Sequence, residues 1–274
     1  MGKLLGLLDA ATGMFVSLLA LPLFDHDMRG VIGLHPMLRA GDILLGDRAF
    51  CSFAHLALLQ ARGVFACMHL HQRRKETTSG MVRWDKPKQA PAWMDAGQFA
   101  SLPPSVEVRI VRYTVAQKGY RTRHVLIATT LMNQAIWPDA KVAELYRHRW
   151  QIETCFDHLK TTMGMNALRC KSVAGVMKEL VIYLAVYNLI RLMMLRAAAH
   201  QRVSVSRISF IDVMRQLAAR LLGLTGATRL IVNPDRTGRC QLRVIRRRCK
   251  AYDWLLVPRR EKEAEIRRKQ AEIG

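Results

Sequence analysis

Residues 43–70 run apolar, then helical, then apolar again, and this alternation constrains the fold more than any other feature of the chain. Ile43-Leu44-Leu45-Gly46-Asp47 is a short apolar run ending in an acid, residues 55–61 repeat at helical spacing up to Gly63, and residues 64–70 are apolar once more. Strand, helix and strand in that order build an α/β sheet. Upstream, residues 4–24 resemble a signal peptide behind Lys3, but Asp9 interrupts the apolar stretch and Ala11-Thr12-Gly13 supplies a turn. The segment is therefore expected to be a hairpin of two strands rather than a secretion signal. Residues 28–38 follow as a helix.

The pattern changes at His71. Gln72-Arg73-Arg74-Lys75 opens a polar stretch that continues through Pro87, Pro91, Pro103 and Pro104, as a loop-rich insertion would. Residues 106–113 and 121–128 alternate strictly, with Lys118-Gly119 near the turn, which predicts an antiparallel hairpin with one charged face. Long helices are expected over 141–163 and 173–199. The apolar run 180–190 is too short to span a bilayer before Arg191 and Arg196, so it reads as a buried helix and no membrane is expected as a partner.

Charge narrows the function. A net +22 on a chain that is half hydrophobic describes a folded protein whose partner is a polyanion, not a disordered basic tail. From Arg229 onward 14 basic residues face 6 acidic ones, and Arg246-Arg247-Arg248 and Lys250 with Tyr252 and Trp254 would track a nucleic-acid backbone. The six cysteines are scattered without a C-x-x-C pair, so they read as free thiols in a reducing cytoplasm. His69-x-His71 near Cys67 reads as packing plus surface rather than as a metal site.

The most informative segment is Tyr146-Arg147-His148-Arg149-Trp150-Gln151-Ile152-Glu153 with its continuation to Lys160. On an ideal helix of roughly 100° per residue, Tyr146, Arg149, Glu153 and Lys160 share one narrow arc with Asp157 beside it. Leu145, Ile152, Phe156, Leu159 and Met163 form the adjoining apolar face. Ordinary ion pairing along a helix would produce the same spacing.

Tyr146-x2-Arg149-x3-Glu153-x6-Lys160 resembles the signature of the DDE transposases of the insertion-sequence-four group. Lys160-Thr161-Thr162-Met163-Gly164-Met165, Leu168-Arg169-Cys170-Lys171, Lys178-Glu179-Leu180 and Tyr187-Asn188-Leu189-Ile190-Arg191 are similar to that family's continuation. Gly41-Asp42-Ile43-Leu44-Leu45-Gly46-Asp47-Arg48-Ala49-Phe50-Cys51-Ser52 resembles its segment around the second catalytic Asp. The resemblance implies a ribonuclease H-like mixed α/β sheet with flanking helices, interrupted by a mostly antiparallel β insertion. On that reading residues 1–70 and 129–200 form the two parts of a catalytic domain, 71–128 the insertion, and 201–274 a helical, basic C-terminal region.

The same resemblance implies DNA transposition, by metal-dependent strand cleavage and strand transfer at transposon ends. Asp47 and Glu153 would be the catalytic residues and the ligands of a two-ion Mg²⁺ or Mn²⁺ site, the ions held about 4 Å apart. Arg149 and Lys160 would bind phosphate nearby and Tyr146 would contact DNA. Trp84 would stack an extruded base. Arg246, Arg247 and Arg248 complete the expected DNA-binding set. The partners implied are double-stranded DNA and a second copy when DNA is bound, in a bacterial, nucleoid-associated cytoplasmic setting.

The family's first Asp has no counterpart at the matching place. Asp9 fits the hairpin turn, and Asp25 and Asp27 match no motif. The chain therefore reads as a transposase lacking its N-terminal part, with impaired cleavage expected. A catalytically dead DNA-binding remnant is the alternative. An RNA-associated basic protein fits the composition, but the strand and helix motifs weigh against it.

Overall fold

The computed structural model describes residues 2–115, 123–224 and 229–234, together with Glu261, Ala264, Glu265, Arg268, Ala271 and Glu272. One compact unit spans residues 1–116 and 122–237; a second, made of 117–121 and 238–274, holds an Arg268–Glu272 pair at 4.0 Å. All that follows concerns the first unit.

The chain opens with the hairpin that the sequence predicts, β1 (Gly2–Asp9) paired antiparallel with β2 (Met14–Pro22). Its turn is built by one side chain. Asp9 accepts from the Ala11 amide at 2.9 Å and the Thr12 hydroxyl at 2.8 Å, while its carbonyl accepts from Gly13. Gly13 has φ 69° and lies against the Arg191 guanidinium, so a side chain there would be strained as well as obstructed.

After α1 (Asp27–Leu34) comes the strand, helix and strand of the central motif: β3 (Ile43–Gly46), α2 (Phe53–Ala61) and β4 (Phe65–His69). β3 and β4 are parallel. Ser52 caps α2 by accepting from the His55 amide. The segment expected as an insertion supplies β5 (Gly80–Asp85), the short α3 (Ala96–Ala100), β6 (Ser105–Val115) and β7 (Arg123–Thr129). Its strands join the same sheet: β7 pairs antiparallel with β4, giving the order β3-β4-β7-β6-β5. Residues 71–128 are thus antiparallel, as expected, and continuous with the sheet of the flanking segments. Lys118-Gly119 lies outside the described residues.

Both faces of this sheet are covered, which explains a departure from the expected charged face on β6. Val106, Val108 and Ile110 point into the core shared with α2 and α3, while Val111 packs on the other side with Cys67, Ile127, Val142 and Tyr146. Arg109 is buried between these layers at 1% exposure. It is paired with Asp139 and donates to the Trp137 carbonyl at 2.6 Å and the Leu131 carbonyl at 3.2 Å.

The expected helix over 141–163 is divided into four parts: α4 (Asp139–Arg147), a 3₁₀ turn (His148–Trp150), α5 (Gln151–Asp157) and a π turn (His158–Thr162). α4 rests on the sheet through Val142 and Tyr146. Ile152, Cys155, Phe156 and Leu159 enter a different core, shared with the hairpin and with α6 (Val173–Gln201). α6 is capped by Ser172 and followed by α7 (Phe210–Leu221).

Three side chains within one turn of α6 clamp the hairpin. The Tyr187 hydroxyl donates to Gly13 O at 3.1 Å, Arg191 Nη2 donates to Thr12 O at 2.7 Å, and the Asn188 amide exchanges two 2.9 Å hydrogen bonds with the backbone of Phe15. Among the described residues one face of α6 is covered, contrary to the expected buried helix. Leu180, Tyr187, Ile190 and Met194 are buried, whereas Val181, Ile182 and Leu189 are exposed. By length and composition this helix is apolar enough to cross a membrane.

Beneath β3, His35 and His55 lie fully inside, their Nε2 atoms 3.1 Å apart and their rings stacked. His55 Nδ1 carries a proton, because it donates to the Phe50 carbonyl at 2.7 Å. Its Nε2 therefore accepts from His35. Burial lowers both imidazoles to about 4, with the Arg62 charge adding to the effect on His35. Between the ordinary value of 6.5 and that of the folded pair, only the unfolded chain takes up these protons. Stability should be full above pH 6.5 and fall progressively toward pH 4; a melting temperature unchanged between pH 7 and pH 5 would contradict this.

Candidate active site

Asp47 directly follows β3 and opens a 3₁₀ turn (Arg48–Phe50), its carbonyl accepting from the Phe50 amide at 3.0 Å. Glu153 lies in the first turn of α5. Arg149 stands one turn earlier, and its Nη1 is 3.2 Å from Asp47 Oδ2 and 3.2 Å from Glu153 Oε1. Two carboxylates from distant parts of the sequence thus meet at one nitrogen. The Arg149 side chain is 10% exposed and the carboxylates are 55% and 54% exposed, so a nearly buried cation faces two acids at the surface. Its guanidinium carbon is 4.6 Å from the Trp150 ring centre and 5.8 Å from that of Tyr146.

Parallel pairing of β3 with β4 sets Gly46 beside Met68, which brings Asp47 and Arg48 next to His69. Arg48 Nη2 lies 3.1 Å from His69 Nε2. Arginine is always a donor, so His69 accepts at Nε2 and, when neutral, carries its proton on Nδ1. Burial first, then the Arg48 charge, lowers its pKa against the opposing pull of Asp47. Arg48 also donates to Gln72 at 3.3 Å. Arg48 and His69 are the site residues that motif reasoning passed over. The signal available was the β3–β4 register, which sets the residue after β3 beside the end of β4.

Tyr146 is 3% exposed, with its ring edge-on to His69 at 6.3 Å. Burial pushes its phenol well above the ordinary range. The Tyr146 hydroxyl and Arg149 Nε are both buried and find no hydrogen-bond partner among the described residues.

The remaining expected residues are placed differently. Lys160 is exposed, its ammonium 5.0 Å from the Phe156 ring centre. It lies in the π turn, where the constant 100° phase of an α-helix no longer applies. Trp84 is a core residue at 2% exposure, because β5 presents it to the face packed by α2 and α3. Its Nε1–H donates to Glu76 at 2.7 Å, and Arg74 lies 3.7 Å over its ring, so the indole offers no free face to a base. Asp27 is held by Lys3 at 2.7 Å, and Asp25 contacts the same ammonium through its carbonyl. Arg246, Arg247 and Arg248 lie outside the described residues.

The donor set fits a divalent cation in part. Asp47 and Glu153 already converge on a cation, and Mg²⁺ is commonly held by one or two carboxylates with water and phosphate oxygens completing its shell. Among the described residues no group of three His, Cys, Asp or Glu forms a metal cluster. Two carboxylates alone would leave most of a divalent ion's coordination shell to water and phosphate oxygens.

The family model described as transposase DDE domain matches residues 3–189, more than half of the chain. The transposase InsG for insertion sequence element IS4 of Escherichia coli (strain K12) is 31% identical over 134 residues, which cover 48% of this chain and 29% of that protein.

The unpartnered Tyr146 hydroxyl gives a direct check on the site's polarity. Tyr146→Phe should leave stability unchanged or raise it by about 1 kcal/mol, since no hydrogen bond is lost with the buried oxygen. A loss larger than about 1 kcal/mol in urea unfolding would mean that the hydroxyl is bonded in the folded protein.

Proposed function

The chain belongs to the family of transposases with a DDE domain, and from that premise we propose that it serves DNA transposition through a metal-assisted site containing Asp47 and Glu153. The observation that carries this reading is the convergence of both carboxylates on Arg149 Nη1, 3.2 Å from each. When bound, Mg²⁺ or Mn²⁺ would activate an attacking oxygen and stabilise the leaving one at a DNA phosphodiester. Asp47 and Glu153 would hold it. Arg149 and Tyr146 would supply donors to phosphate, and His69 and Arg48 would keep Asp47 in a polar, positively charged surround. The rigid mounting of Asp47 after a strand and Glu153 on a core-packed helix suits geometry that must not relax during the reaction.

The duplex would be gripped mainly through its phosphates, as the net +22 favours. Lys160 and the Arg246–Arg248 run belong to this reading as phosphate contacts, and a second copy would join when two DNA ends are brought together. The bacterial cytoplasm, where the nucleoid lies, is the proposed setting. A DNA-binding role without cleavage is the second reading. It is favoured by the two, rather than three, acidic groups that converge among the described residues.

Filter binding with duplex DNA tests the shared part of both readings. Affinity should fall steeply with salt, the log–log slope approaching about −0.9 per phosphate neutralised, with little preference for sequence; a flat salt dependence would contradict it. Incubating residues 1–274 with an intact transposon-end duplex and Mg²⁺ or Mn²⁺ separates the two. No strand cleavage is expected, because two carboxylates carry too little charge to hold two ions against water. Cleavage that disappears in Glu153→Gln would instead establish the pair as sufficient.

A further inference from the structure

Arg149 is placed to decide when the carboxylate pair can take a metal. Its Nη1 bonds both Asp47 and Glu153, and its side chain is only 10% exposed. A divalent ion entering between the acids must take their oxygens from Nη1. That would leave a nearly buried guanidinium unpaired, a costly state unless another anion replaces the carboxylates. A DNA phosphate is such an anion. It can accept from Nη1 together with the adjacent Nη2, the end-on fork that guanidinium offers to phosphate.

We propose that Arg149 is an internal counter-ion that competes with the metal for Asp47 and Glu153, and that a DNA phosphate relieves the competition by taking Arg149 for itself. The proposal rests on the reading of the acid pair as a metal site and adds a rule for its occupancy. Metal binding is weak on the free protein and stronger on the complex. Linkage requires the reverse as well, so metal at the pair must strengthen the hold of Arg149 on phosphate. The aromatic rings of Trp150 and Tyr146 flank the guanidinium, so the exchange needs a shift of bonding partners rather than withdrawal of the side chain.

The test is Mn²⁺ binding to residues 1–274 without DNA, read from the electron paramagnetic resonance signal of free Mn²⁺. Three proteins are compared: wild type, Arg149→Gln, and the double variant Asp47→Asn with Glu153→Gln. Arg149→Gln should bind Mn²⁺ about five- to tenfold more tightly than wild type, the worth of two half-exposed ion pairs, and the double variant should lose this site. Equal or weaker Mn²⁺ binding by Arg149→Gln, with the site still lost in the double variant, overturns the competition and leaves the metal-site reading standing. Binding to the double variant as strong as to wild type overturns that reading and the inference with it.

A second measurement leaves Arg149 intact. Fluorescence anisotropy of a labelled duplex should show Mn²⁺ raising the DNA affinity of wild type relative to that of the double variant, in which the acids no longer hold the guanidinium. The same Mn²⁺ response in both proteins would refute the exchange.

Discussion

A single guanidinium ties together the two halves of this fold. Arg149 sits on the 3₁₀ turn between α4, which packs on the five-stranded sheet, and α5, which packs with the hairpin and α6. From there it bonds an acid at the end of β3 and an acid on α5. The two ion pairs contribute little stability as half-exposed contacts. Their importance is positional, because they register a strand end against a helix supported by a different core.

That registration depends on the long clamp behind it. Tyr187, Asn188 and Arg191 satisfy the carbonyls of the hairpin turn and the backbone of Phe15, and the Phe15 ring packs edge-on against both Phe156 and Tyr187 at 5.4 and 5.1 Å. Phe156 lies on α5, three residues after Glu153. A chain of contacts therefore runs from α6 through the hairpin to the acid-bearing helix. The shift into a π turn after Asp157 keeps Leu159 in that core while leaving Lys160 exposed on the Phe156 ring.

Much of this was legible in the sequence, for reasons that differ by element. The β1–β2 hairpin was readable because Asp9-x-x-Thr12-Gly13 is turn chemistry acting over a few residues. β3, α2 and β4 were readable because buried strands and a capped helix carry their pattern locally. Asp47, Arg149 and Glu153 came together as two motifs would suggest. Lys160 lies in a π turn, which helical-wheel reasoning with one constant pitch does not anticipate. The burial of Trp84 on β5 and of Arg109 on β6 was not legible, because it depends on which sheet faces other elements cover. The half-exposed α6 was missed for the same reason: an apolar composition does not tell which faces find partners.

The central claim is that Asp47 and Glu153 form one cation site. Anomalous diffraction from crystals of the protein with Mn²⁺ and a short duplex tests it most directly. The account predicts a manganese peak in contact with both carboxylates and Arg149 turned to a phosphate. A manganese ion bound elsewhere, with Asp47 and Glu153 still joined through Arg149 in the DNA complex, would contradict it.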